Sequence, residues 1–184
     1  MRDTHPNKFE GREPDVKWLR ELSKEELINV LFMHIRDIFA VDGLYFLGIE
    51  EEFGNEAAVE IYRRVWEDMA RIEAKRLVKT LGVSGDDIPS FMNALRASCW
   101  SLDTENKEII VEGNRGVFRN RMCRVQNTRA SKGRSEFPCK GVRFNWLKIF
   151  AEELNPKIRV NCLVCPPDKH PDNLWCEWEF VIEE

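Results

Sequence analysis

Six cysteines punctuate this 184-residue chain: Cys99, Cys123, Cys139, Cys162, Cys165 and Cys176. None precedes position 99, and the last three cluster near the C-terminus. Cys162 and Cys165 form a C-x2-C pair, whose short turn aims both thiolates at one point and supplies half of a zinc site. A hairpin returning through 174–182 brings Cys176 back beside them. Cys139 precedes a helix, where the helix dipole favours a thiolate. Four thiolates at Cys139, Cys162, Cys165 and Cys176 complete a tetrahedral shell, the mark of a closed structural site. Zinc is the expected metal, and an iron–sulfur cluster takes the same four ligands. His170 competes for the fourth place, since Cys162, Cys165, His170 and Cys176 approach a zinc-knuckle spacing. Pro166, Pro167 and Pro171 stiffen that loop, which puts Cys139 ahead. Ordinary core cysteines are the plain alternative, because free Cys is often buried.

Other chemistry is thinner. Glu50, Glu51 and Glu52 diverge by about 100° each on a helix, so at most one faces inward and a solvated face is expected. His34 lies beside an apolar stripe and reads as an edge histidine. A Cys-His hydrolase would need His34 or His170 to reach Cys99 or Cys123. No phosphate-binding glycine loop, nucleophile elbow or HExxH is present. Arg115, Arg119, Arg121, Arg124, Arg129, Lys132 and Arg134 crowd a short stretch. They read either as a solvated strand face and loop, or as an anion-binding wall. The aromatics mostly mark a core. If a pocket lies between helices and sheet, Trp66, Trp100 and Trp146 would line it, with Arg119 or Arg121 as its polar contact.

Helices come first. Residues 1–14 form a loose leader, broken by Pro6, Gly11 and Pro14. Ser23 to Glu26 is a capping box, followed by Leu27, Leu31, Ile35 and Ile38 at helical spacing. Asp42-Gly43 is a turn signal, and Gly54 ends a second apolar segment. A long helix is expected from about 56 to 81, and a shorter one from Pro89 to Ala97. The period then changes. Three strands are expected over 98–102, 107–112 and 116–125, then a polar loop, a helix over 142–154, and strands over 158–165 and 174–182. The expectation is one α+β domain over 15–184, with a helical part (15–97) packed on an antiparallel sheet and metal-site part (98–184) of β-β-β-α-β-β order.

Composition narrows the class. Apolar residues make up 43% and charged residues 33%, with a formal net charge of −4. That excludes a disordered chain and argues against nucleic acid as a partner. No run of about 18 apolar residues and no signal peptide is seen, so a cytoplasmic protein without a membrane partner is expected.

The stretch from Cys139 to Phe180 resembles the C-terminal half of the 4-vinyl reductase domain, which also serves as the sensor module of aromatic-responsive bacterial regulators. FPCK, NCLVC and LWCEWEF fill its slots. The resemblance implies a structural zinc on Cys139, Cys162, Cys165 and Cys176 beside a buried ligand pocket, and a homodimer built on the long helices. Cys162 departs from the pattern, standing where an acidic ligand is usual, and the PPDKHPDN loop is longer. The whole chain is also similar to a family of stand-alone prokaryotic cytosolic proteins, through LYFLGIEEEFG and CPPDKHPDNLWCEWEF. Its layout is similar to the 2-amino-thiazoline-4-carboxylate hydrolase-like proteins, which implies a small-molecule hydrolase as the alternative. The expected function is a small-molecule-binding, sensor-like domain with a four-cysteine metal site.

Overall fold

A computed structural model describes residues 11–182. The expected leader lies outside the described residues up to position 10. Its last part is helical, because α1 (Glu13–Glu21) accommodates Pro14 in its first turn, where a missing N–H costs nothing.

Helix α2 (Lys24–Leu81) begins at the expected capping box. The Glu26 amide donates to Ser23 Oγ at 3.2 Å, and the Ser23 amide donates to the Glu26 carboxylate at 2.8 Å. Asp42-Gly43 is not a turn, since the helix runs through it. The break falls at Gly54, whose φ of 83° and ψ of 165° suit only glycine. Phe39 meets Trp66, and Phe46 meets Tyr62. These pairs are centred near residue 53, so α2 is two helical arms folded back on each other, 24–53 and 55–81. A straight helix would hold Asp42 and Tyr62 roughly 30 Å apart, whereas their side chains share a hydrogen bond.

Asp87 caps α3 (Ile88–Ala97), its side chain accepting from the Ser90 amide at 2.7 Å. Ser98 ends α3 and starts α4 (Cys99–Asp103), accepting from the Ser101 amide at 3.2 Å. This short helix replaces the strand expected over 98–102. Glu73 from the second arm of α2 takes the Cys99 amide at 2.6 Å, a tertiary cap that overrides local strand preference.

The sheet is antiparallel, with β1 (Lys107–Glu112), β2 (Arg115–Asn120), β3 (Ile158–Val164) and β4 (Cys176–Ile182) in the order β1-β2-β4-β3. The fold is α+β, with helices preceding a four-stranded sheet. Strand β2 stops at Asn120, short of the expected Val125, and α5 (Arg124–Ser131) occupies what reads as a polar loop. Its inward residues are the polar Gln126 and Arg129, so no apolar period betrays it. Gln126 pairs with the Phe137 backbone in both directions at 2.9 Å. Helix α6 (Cys139–Leu154) then returns the chain to the sheet.

The core lies between α6, α3 and the inner sheet face, where Phe118, Trp178 and Phe180 are fully buried. Each such side chain contributes about 1.5–3 kcal/mol by burial. Phe91 of α3 meets Phe180 at 5.0 Å, and Trp146 stacks on Phe150 at 4.9 Å. Helix α3 lies so close to β2 that a Cβ on Gly116 would come within 2.8 Å of Met92 side-chain atoms.

Candidate functional site

The first turn of α6 docks against the loop leaving β3. The Lys140 amide donates to the Pro166 carbonyl at 2.8 Å, and the Lys140 ammonium pairs with Asp168 at 2.6 Å. This places Cys139 against Cys165. The Cys165 thiol donates to the Cys139 sulfur, which, with Arg143 nearby and against the cost of burial, brings Cys139 down to about 7. Cys165 is pushed up by the same contact and by burial. Cys162 interacts with Cys165, and burial raises both Cys162 and Cys176, with the Cys139 charge adding to each. The sheet register explains the rest: Cys162 lies opposite Trp178, two residues from Cys176 on the same inner face. Cys123, just before α5, also feels Cys139 and is pushed up to about 11, chiefly by burial.

The four cysteines named from spacing are therefore neighbours, with Cys123 beside them. Among the described residues, no group of three or more His, Cys, Asp or Glu side chains already stands in a metal-holding arrangement. His170 turns away from the sulfurs, toward Glu136 at 3.3 Å and onto Trp175.

Next to this cluster lies a cavity of about 400 Å³, inside the usual range for small-molecule sites. Phe39, Asp42 and Phe46 of the first arm, Val142 and Arg143 of α6, and residues of α5 form its walls. Asp42 is held by Trp66 Nε1 at 3.2 Å and by the Tyr62 hydroxyl. Burial nevertheless raises its pKa. Arg129 donates to Glu50 at 3.0 and 3.1 Å, and Arg134 donates to the same carboxylate at 2.8 Å. These bonds fix α5 to the first arm and, led by the Arg129 contact, lower the Glu50 pKa. Glu50 is thus the inward member of the acidic triplet, and Glu51 stays exposed.

Arg143 is the most unusual group here. It is only 6% exposed. Its guanidinium carbon lies 4.4 Å from the Trp100 ring, 5.1 Å from Trp146 and 5.4 Å from Trp66. It lies near the Cys139 sulfur and favours its thiolate. Nε and Nη1 have no partner.

The chain belongs to a family of unknown function, DUF6125, whose profile matches residues 20–182. No curated protein and no solved structure matches it. The matched DUF6125 span holds the whole cavity and all the clustered cysteines.

Of the expected pocket residues, Trp66, Trp100 and Trp146 do come together, around Arg143. Arg119 and Arg121 do not join them. Arg119 lies on the outer sheet face, opposite Glu177 in the register, and pairs with Glu177 and Glu108, while Arg121 pairs with Glu108. Alternation along β2 decides this: Phe118 and Asn120 point in, so Arg119 points out. The other half of the basic run, Arg124, Arg129, Lys132 and Arg134, does line the cavity. Among the described residues, neither histidine touches a cysteine. His34 is exposed beside Asp37, and Cys99 is pushed up by burial next to Glu73. The inward place of Arg143 is readable in hindsight, because Arg143, Trp146, Leu147, Phe150 and Ala151 make one helical stripe.

Proposed function

We propose that this protein is a small-molecule-binding domain, sensor-like in layout, and that the cavity between the two arms of α2, α5 and α6 is its ligand site. The cavity itself carries the reading. It is mostly apolar in character, is bounded by elements cross-tied through buried ion pairs, and holds a few placed polar groups, as ligand sites do. The test is binding of a neutral apolar dye such as Nile red. The expected result is saturable one-to-one binding that is lost in Val142→Trp, which fills the cavity. Non-saturable binding, unchanged in that variant, would overturn the reading.

The thiol cluster is proposed as a structural metal site on Cys139, Cys162, Cys165 and Cys176. The donor set fits zinc, because four thiolates are its closed structural shell, and an iron–sulfur cluster is the other four-thiolate occupant. Support comes from the pairwise sulfur contacts and from the backbone tie between α6 and the Cys165–Pro166 turn. Zinc would lock that turn to α6 and hold one end of the cavity in place. Elemental analysis of protein purified without chelator is expected to find about one zinc per chain, lost in Cys165→Ser. Metal-free protein would overturn this part alone. Six free thiols agree with a reducing cytoplasm. No helix among the described residues is long and apolar enough to cross a membrane.

A homodimer is proposed on the first arm of α2. Leu27, Leu31, His34, Ile38, Val41 and Tyr45 follow alternating steps of four and three, a heptad seam. Apart from His34, this is an apolar ridge, and it is exposed: Ile38 is 54% and Tyr45 71% accessible. A second copy of the same seam would cover it. Sedimentation is expected to give a dimer that Ile38→Glu dissociates. A wild-type monomer at the same concentration would sink the proposal.

A further inference from the structure

We infer that the ligand of this cavity carries a carboxylate on a flat apolar body, and that Arg143 recognises it. This rests on the cavity being a ligand site, as proposed above. A guanidinium has a face and an edge. The face accepts aromatic rings, and the edge carries N–H groups that require acceptors. At Arg143 three indoles serve the ring-accepting surface, with Trp100 nearest at 4.4 Å. The edge is unfinished, because Nε and Nη1 are buried without a partner. Such unpaired buried donors are rare and call for an explanation.

The surrounding charges narrow the class. Asp42 and Glu73 both feel Arg143 electrostatically, yet among the described residues neither makes an ion pair with it. Each is already engaged, Asp42 with Trp66 and Tyr62, Glu73 with Cys99. The other arginines at the wall have carboxylates of their own: Arg129 and Arg134 share Glu50, and Arg124 holds Asp103. Arg124 also keeps one buried nitrogen, Nε, without a partner, but among the described residues Arg143 is the cavity arginine with no carboxylate paired to it. A carboxylate is the planar acceptor that a guanidinium takes. Phe39, Phe46 and Trp100 line the same cavity and suit a flat apolar body, and about 400 Å³ leaves room for one or two fused rings.

The test is calorimetric titration of the full chain with 2-naphthoate and its neutral isostere 2-naphthamide, with Nile red binding measured alongside. Wild-type protein is expected to bind naphthoate at least about ten-fold more tightly than the amide, the scale of a charged hydrogen bond. Arg143→Met should abolish that preference and leave the amide unchanged. Arg143→Lys, which keeps the charge and loses the fork, should fall between them and keeps the test valid if the Met variant misfolds. Arg119→Gln should behave as wild type. Equal affinity for amide and carboxylate would overturn the inference, as would failure of naphthoate to saturate while Nile red enters. If Nile red does not enter either, it is the ligand-site reading that fails.

Discussion

The arginines of this protein live in two environments. On the outer face of the sheet, Arg115, Arg119 and Arg121 are partly exposed, each paired with glutamate. Behind the sheet, Arg143 is buried among tryptophans with part of its edge unpaired. The outer pairs exchange solvent contacts for protein contacts of similar strength, so each is worth under about 1 kcal/mol. The inner arginine gave up its solvent and has not regained an acceptor at two nitrogens, which costs free energy. Abundant arginine on a strand is a surface device here, and the single arginine on an apolar helix stripe is the one with two buried nitrogens unpartnered.

The contrast can be broken by substitution. The largest effect is expected beneath Arg143. Trp146→Ala removes a fully buried indole that also supports the guanidinium, and should cost about 3–5 kcal/mol in denaturant unfolding. Arg129→Met should come next. It leaves Glu50 with Arg134 alone in a largely buried setting and should cost about 3 kcal/mol, loosening α5 from the first arm. Amide hydrogen exchange in 124–131 would show where the loss falls. Arg143→Met is expected to leave unfolding free energy unchanged or raise it, because a desolvated cation without an ion pair is replaced by an apolar chain of similar shape. A loss above about 2 kcal/mol would show that Arg143 is instead a net stabilising group. Arg119→Gln should change stability by less than about 1 kcal/mol.

Acid sharpens the same comparison. Arg129 holds Glu50 below the ordinary carboxylate range. The stability from this pair is complete above the unfolded-state value near 4.3, and falls away as pH drops through the lower folded value. Asp42 and Glu73 have the opposite sign: burial raises them, so their ionisation opposes folding and protonation relieves it. Between pH 6 and 3, Glu50→Gln should therefore show a weaker fall in melting temperature than wild type. Parallel curves would mean that Glu50 is not the acid-sensitive tie.

Much of this was legible because it follows local rules. The capping box at Ser23 and the break at Gly54 each need only a few neighbouring residues. The approach of Cys139 to Cys165 was also readable, because one returning helix suffices to bring them together. Helices α4 and α5 were not. The first is capped by Glu73, 26 residues away, and the second turns polar residues inward against Phe137 and Glu50. Arg143 was hidden for a related reason: a charge on a helix is ordinarily read as solvated, and only the bulk of three distant tryptophans keeps water from it.

Gly54 has a reach out of proportion to its size. The two arms it joins contribute opposite members of the Phe39–Trp66 and Asp42–Tyr62 pairs. One arm carries the cavity wall at Asp42, and the other carries Trp66 against the guanidinium. The breadth of the chamber is therefore set at a covalent elbow, by two torsion angles of one residue. A side chain there would strain a φ of 83° and turn a 30-residue arm as a single lever.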